Sequence, residues 1–467
     1  MGEIQQTLLP VQVPQWPVIP YDIFIEICSF LTIHEISVLA LINGMWNEAA
    51  TIALYEHIDL FQPRAIWRCV KTLSLPPETT SFARDLAVFP RSIHIRRPLF
   101  ISVTLESETA LGEMLQQLLP RLINLHSFSC DISLPNVPRI LLRTTESRRV
   151  PLRTLDLLIA EDYRPFDQVS EDDFGLKDVP LDHWPALSSL GFHIYSNSNA
   201  PYDEFFKHTV LHSQHHLRAL SLSVRPELLV TIWDVLSCIP VFRCLEKLQT
   251  SLPVKFLMLP CFTQAPRLKS LNIHYFGSTT AWPPFRETDY RALEVLSCPA
   301  RASRHETHAL DAFLPNVSRG HRRPVHTLRL GDSTYGRYRG TFSAAGGLWD
   351  NDAPTALAYI AHSGAPMRHL GVHVPENAID SLTAPDIKPQ LAYLESLDLL
   401  IEYSGLPDRQ VLADFDRRSS VLRRVAFTTE FEWEKRADGQ WHAWGHVVPE
   451  RPLLPLGRYK ERVGLDE

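Results

Sequence analysis

Leu217-Arg218-Ala219-Leu220-Ser221-Leu222-Ser223-Val224 is the stretch from which the fold of most of this chain can be read. From Leu220 onward apolar and polar residues alternate, so Leu220, Leu222 and Val224 lie on one face of an extended strand and Ser221 and Ser223 on the other. A strand with one apolar face has to bury that face against a second layer. Residues 227–239, which follow, have the apolar spacing of a helix, so the unit is a strand followed by a helix.

The same L-x-x-L-x-L form returns along the chain. It appears as Leu152, Leu155, Leu157 and Ile159; as Leu187, Leu190, Phe192 and Ile194; and as Leu268, Leu271 and Ile273. Further on come Val325, Leu328 and Leu330; Met367, Leu370, Val372 and Val374; Leu394, Leu397, Leu399 and Ile401; and Leu422, Val425 and Phe427, with weaker copies from Leu125, Leu245 and Leu293. The copies begin 23 to 42 residues apart. Strand and helix units in series imply right-handed crossovers and a parallel sheet. The region resembles leucine-rich-repeat solenoids, whose repeats are about 20–29 residues long. It departs from them where a turn-closing Asn is usual, because Ala160, Tyr195, Arg225 and Tyr275 stand there, so the expected solenoid is irregular.

Before this array, Pro10, Pro14 and Pro17 make residues 1–17 an extended segment. From Pro20, the spacing of Ile23, Ile27, Phe30 and Leu31 marks one face of a short helix. Thr32 and Glu35 have capping-box spacing and predict a second helix bearing Ile36, Leu39 and Ala40, with Asn43-Gly44 ending it. A third helix would hold Trp46, Ala49, Ala50, Ala53 and Leu54 inside. Together Ile19-Pro20, Asp22-Ile23, Ile27, Phe30-Leu31, Glu35-Ile36, Leu39, Ile42, Trp46 and Ala50 resemble the F-box family over residues 18–58. The resemblance implies a three-helix module that docks on a Skp-type adaptor and through it on a cullin scaffold. It also implies that Pro20, Ile23, Ile27, Leu31, Leu39 and Trp46 serve the adaptor contact or the module's own core. Asn43, Gly44 and Met45 depart from the family, in which Cys or Ser followed by basic residues is common.

Composition narrows the function classes. At 467 residues, 45% of them hydrophobic, the chain has ample apolar surface and is too long for one ordinary core. A net charge of −7 and a pI near 6.3 give no overall electrostatic reason to bind nucleic acid or an acidic membrane. The seven cysteines are scattered without a C-x-x-C pair, which fits a reducing compartment and suggests neither disulfides nor zinc. Without a signal-peptide pattern or a spanning apolar run, the expected location is cytoplasmic or nuclear.

A search for catalytic chemistry finds little. No P-loop, H-E-x-x-H or kinase signature is present. His212 and His216, at the i, i+4 spacing that would place both on one helix face, lack a third metal ligand, as do His305 and His308. Gly331-Asp332-Ser333 is similar to an esterase nucleophile tripeptide but has no matching downstream Asp-x-x-His, so a hydrolase using Ser333 is a remote alternative. Two insertions stand out, acidic residues 161–182 and Gly-rich residues 331–352, and Asp438-Gly439 signals a hairpin that could cap the array.

The expectation is therefore an α/β chain divided into an extended segment (1–17), an F-box-like helical module (18–60), a leucine-rich-repeat-like solenoid with a parallel sheet (61–430), and a hairpin cap and tail (431–467). Its expected role is non-catalytic: a substrate receptor of an SCF-type ubiquitin ligase that needs no cofactor and no metal. An F-box scaffold acting outside a ligase is the alternative. The x positions of the strands point away from the buried leucines, so a protein target is expected against Asp156, His193, Asn272, His274, Arg329, His373 and Asp398.

Overall fold

The computed structural model describes residues 20–60, 63–76, 85–95, 113–115, 117–130, 141, 151–159, 186–194, 202–224, 229–273, 286, 288–298, 325–330, 367–373, 393–400, 412–413, 416–417, 420–428, 431–445 and 454–455. Its framework is one α/β sheet whose strands follow one another in chain order. The strands are β1 (His57–Leu60), β2 (Ser92–Ile95), β3 (Ser127–Cys130), β4 (Thr154–Ile159), β5 (Ser189–Ile194), β6 (Ala219–Val224), β7 (Lys247–Thr250) and β8 (Ser270–Ile273). They continue as β9 (Val295–Cys298), β10 (Thr327–Leu330), β11 (His369–His373), β12 (Ser396–Leu400), β13 (Arg424–Thr428), β14 (Phe431–Lys435), β15 (Trp441–Gly445) and β16 (Leu454–Pro455). Pairing is parallel from β1 to β13 and antiparallel from β13 to β16.

Register turns the sequence repeat into a packed column. Ile58, Ile93, Phe128, Leu155, Leu190, Leu220, Leu248, Leu271, Leu296, Leu328, Leu370, Leu397 and Val425 pair each with the next. None of these side chains is more than 6% exposed. Burying one such side chain stabilises by roughly 1.5–3 kcal/mol. Phe192, one position pair further along β5, stacks on Phe205 and Phe206 of the helix α5 (Tyr202–Ser213), at 5.7 and 5.5 Å between ring centroids.

The return segments differ from one repeat to the next. Between β5 and β6 runs a helix of 12 residues, and between β6 and β7 one of 9, α6 (Leu229–Ser237). Two short turns of helix, Val254–Leu257 and Pro260–Thr263, lie between β7 and β8. Buried polar groups satisfy these uneven turns. Ser213 Oγ accepts from Leu187 N at 3.1 Å, Thr250 Oγ1 accepts from Leu252 N at 3.0 Å, and the Tyr290 hydroxyl donates to the Leu257 carbonyl at 2.6 Å. Ala160, Tyr195, Arg225 and Tyr275, both insertions, Ser333, His305 and His308 lie outside the described residues.

The N-terminal helices are α1 (Tyr21–Ser29), α2 (Ile33–Leu39) and α3 (Gly44–Glu56). Thr32 caps α2 through the expected box: its backbone N donates to Glu35 Oε2 at 2.8 Å, and its hydroxyl accepts from Glu35 N. Two expectations are corrected. Asn43-Gly44 opens α3 instead of closing α2, because Asn43 Oδ1 accepts from Trp46 N at 3.1 Å as the N-cap and α2 already ends at Leu39. His212 and His216 do not share a helix face, because α5 stops at Ser213 and His216 falls in the turn after it.

Helix α3 runs into β1 without a loop, and α4 (Pro63–Ser74) follows that strand. β1 and β2 belong to the sheet although the repeat pattern begins only at Leu125; Pro90 and Tyr55 stand near where the opening Leu would be. At the other end the Asp438-Gly439 turn forms as expected, with Gly439 at φ +80° and Asp438 Oδ1 accepting from Gln440 N at 2.8 Å. The segment beyond residue 451, read as a plain tail, contributes β16 to the sheet edge.

Truncating Phe192 to Ala removes the ring wedged between sheet and α5, which is expected to cost about 3–5 kcal/mol. A urea titration followed by far-UV circular dichroism checks it, and a midpoint unchanged from wild type would contradict the packing described.

Candidate functional site

Helix α1 turns an unexpected face inward. Phe24 and Cys28 are its buried residues, and Phe24 meets Trp46 edge-to-face with ring centroids 4.5 Å apart. Cys28, Ala49 and Phe24 form a small core, with Tyr21, Ile25, Leu39, Trp46 and Ala53 packed around it. Of the residues singled out for adaptor contact, Leu39 and Trp46 therefore belong to the module's own core, and Leu31 is half-buried. Pro20, Ile23 and Ile27 are exposed, Pro20 serving also as the N-cap residue of α1.

The exposed apolar set is larger than the sequence suggested. Among the described residues, seven of the eleven large apolar side chains left exposed fall between residues 23 and 45: Ile23, Ile27, Phe30, Val38, Leu41, Ile42 and Met45. Phe30 is 81% and Leu41 85% exposed. Ile23, Ile27 and Phe30 follow the i, i+4, i+7 spacing of one helix face, and Leu41, Ile42 and Met45 sit at the α2–α3 turn. Such a concentration on a small surface marks an interaction site more readily than scattered apolar residues do.

The second surface is the sheet face opposite the leucine column. Register brings Ser129, Asp156, Gly191, Ser221, Gln249, Asn272, Ser297, Arg329, Gly371 and Asp398 into one row. Asp156, Asn272, Arg329 and Asp398 thus share a row, and with strands about 4.8 Å apart it extends roughly 38 Å from Asp156 to Asp398. His193 and His373 lie two residues further along their strands, opposite Leu158 and Leu400 respectively. His274 lies outside the described residues, as do the side chains of Arg329, His373 and Asp398.

Among the described residues of these rows, side chains converge at β3–β6. Asp156 Oδ1 lies 3.4 Å from His193 Nε2, Ser221 Oγ lies 3.3 Å from the same nitrogen, and Ser129 Oγ donates to Asp156 Oδ2 at 3.4 Å. A Ser–His–Asp relay needs the carboxylate on one ring nitrogen and the hydroxyl on the other. Here both lie against Nε2, so the geometry is not that of such a relay. Gly191 makes it possible: a Cβ at that position would stand 2.0 Å from Asp156 Oδ1.

A third feature, not singled out from sequence, is the rim at the start of the strands. The residue after each opening Leu donates its N–H to the carbonyl of the equivalent residue one strand back: His126 to Arg91 (2.8 Å), Arg153 to His126 (2.7 Å), Ser188 to Arg153 (2.8 Å), Arg218 to Ser188 (2.7 Å) and Glu246 to Arg218 (2.8 Å). Charges also pair laterally along the rim, Arg91 with Glu56 at 2.8 Å, Lys269 with Glu294 at 2.9 Å and Arg368 with Glu395 at 3.8 Å. Burial, and then the flanking Arg91 and Arg153 guanidinium groups, hold the His126 pKa below its ordinary range. Aligning the repeats on the residue after the first Leu would have exposed this row.

Two buried thiols of the array are held in the protonated form. Burial pushes the Cys69 pKa up to about 11 and that of Cys261 up to about 12, so both stay protonated at neutral pH. Among the described residues no group of three or more His, Cys, Asp or Glu could hold a metal ion, and no helix is long and apolar enough to cross a membrane.

No family profile and no curated protein matches the chain. Among solved structures it is similar to a chain in one titled "Crystal structure of Rad7 and Elc1 complex in yeast", at 15% identity and a TM-score of 0.41, covering 86% of each chain.

Gly191→Ala is expected to displace the Asp156 carboxylate and break its contacts with His193 and Ser129, while the buried column keeps the sheet folded. Imidazole NMR of His193 should show the change as shifted ring resonances, with far-UV circular dichroism unaltered; unmoved His193 resonances would show that Asp156 does not depend on the glycine.

Proposed function

We propose that this chain is a substrate receptor of a cullin-based ubiquitin ligase, with an F-box-like module on α1–α3 and a leucine-rich-repeat-like sheet that holds the target. The exposed apolar set between residues 23 and 45 carries this reading. A module whose own core amounts to Phe24, Cys28 and Ala49 leaves Ile23, Ile27, Phe30, Leu41 and Ile42 for a partner, and the resemblance of residues 18–58 to the F-box family makes that partner a Skp-type adaptor.

The receptor reading assigns no covalent step to the chain. It brings a target close to transfer machinery held by the cullin, so rate comes from proximity and orientation. The uninterrupted passage from α3 into β1 supports this, since a stiff junction fixes where the sheet face stands relative to the adaptor. The bridge of Arg91 to Glu56, from the strand-start rim to the last residue of α3, reinforces it. Asp156, His193, Ser129 and Ser221 are the most developed polar cluster of the described sheet face and the leading target contact. The location proposed is the cytoplasm or nucleus, where such ligases act.

Two kinds of variant separate contact from core. Ile23→Glu with Leu41→Glu, both exposed, should lower adaptor recovery in pull-downs at least tenfold without changing thermal melting. Trp46→Ala, by contrast, should melt the module by removing the ring against Phe24, at a cost of about 3–5 kcal/mol. Full adaptor recovery by the Glu double variant would overturn the docking surface. Recovery of adaptor without cullin would favour a scaffold acting outside a ligase.

A further inference from the structure

Among the described residues, the rim between β3 and β6 carries positive charge that no acidic side chain pairs with, whereas Arg91, just ahead of β2, is bridged to Glu56. Arg153 and Arg218 are exposed, and among the described residues neither has an acidic partner. His126 lies between Arg91 and Arg153, and Ser188 between Arg153 and Arg218, all held side by side by the backbone ladder. The acidic residues of the row come at its two ends, Glu56 beyond Arg91 and Glu246 beyond Arg218.

We infer that Arg91, His126, Arg153, Ser188 and Arg218 form a docking site for an extended Asp/Glu-rich segment of a target protein. Four strand spacings separate Arg91 from Arg218, roughly 19 Å, which an extended chain covers in about six residues. Glu56 and Glu246 set that length, since a longer acidic run meets like charge at either end. Single cations spaced along a line suit successive carboxylates, whereas a phosphate group is best held by several donors converging on one point. Nucleic acid fits poorly, because the neighbouring row of Ser127, Thr154, Ser189 and Ala219 has no aromatic ring on which a base could stack.

This inference deepens the receptor reading and rests on it for biological meaning, but its test needs no adaptor. Fluorescence anisotropy of the full chain with a labelled peptide of six alternating Glu and Asp residues should show saturable binding that weakens as salt rises. The matching Gln/Asn peptide should not bind. Arg153→Ala with Arg218→Ala should weaken binding at least tenfold, while Lys269→Ala, at a balanced part of the rim, should leave it unchanged. In the wild-type chain the His126 imidazole pKa should rise on saturation, because a bound carboxylate offsets Arg91 and Arg153.

Several results would overturn the inference. They are no binding by the wild-type chain, equal binding by the Arg153/Arg218 variant, an unmoved His126, or tighter binding of a single phosphoserine peptide or an oligothymidylate of equal charge. Binding gained only when Glu171→Gln, Asp172→Asn and Asp173→Asn are introduced would make the chain's own acidic stretch the occupant, and would equally overturn it. None of these outcomes bears on adaptor recovery, so failure here leaves the ligase reading standing, and failure there leaves the peptide site standing.

Discussion

The lateral backbone ladder is the constraint on which everything else depends. Each strand from β1 to β13 takes the register of the one before it, and the N–H of the residue ahead of each strand donates to the equivalent carbonyl one strand back. A parallel register without slips has two consequences. Inward residues stack into a column from Ile58 to Val425, and outward residues stack into rows in which neighbours come from repeats some 30 residues apart. A one-residue slip would exchange the two faces and put Asp156 or Ser221 into the core, so burial of the column enforces the rows. Asp156, His193 and Ser221 meet only because three successive strands keep step.

An array of this kind has a problem at each end, where a strand would present unpaired backbone groups. The C-terminal end is met by reversing direction: β14 and β15 turn back antiparallel around Asp438-Gly439, and Trp433 of β14 is buried. Lys435 fixes the hairpin through Asp416 and spreads over the Trp441 ring. At the N-terminal end, α3 leads directly into the edge strand, and Tyr55 near its end packs on the main core. The same residues that bring the helical module to the sheet thus also sit against its first edge.

What the sequence disclosed and what it withheld follow from whether a pattern is local. The L-x-L alternation of β4, β5, β6 and β8 is written in adjacent residues, and so is the Thr32–Glu35 box. The inward face of α1 was not legible because Tyr21, Ile23, Phe24, Ile25, Ile27 and Cys28 are nearly all apolar, so spacing cannot set the phase of the helix. The structure selects Phe24 and Cys28, because they face Trp46 and Ala49 of α3. β1 and β2 were missed because only Ile58-x-Leu60 and Ile93-x-Ile95 remain of the repeat, too short to distinguish from chance. The contact of Asp156 with His193 crosses 37 positions of sequence and depends on Gly191 having no side chain, a condition no local pattern records.

The rows also give the molecule a polarity that its composition hides. A net charge of −7 describes the whole chain, yet further along the rim Lys269 pairs with Glu294 and Arg368 with Glu395, while from Arg91 to Arg218 bases stand without interposed acids. That part begins one strand from β1, where Arg91 meets Glu56, and at about 4.8 Å per strand it ends roughly 24 Å away. It is therefore the portion of the array nearest to α1–α3, and it borders the Asp156–His193–Ser221 cluster on β4 to β6. A segment held across both would lie close to the helical module and near the junction where α3 becomes β1. For the receptor role proposed above, placement so near the rigid end would favour proximity-driven transfer, since positional freedom grows with every repeat that separates a bound segment from the helical module.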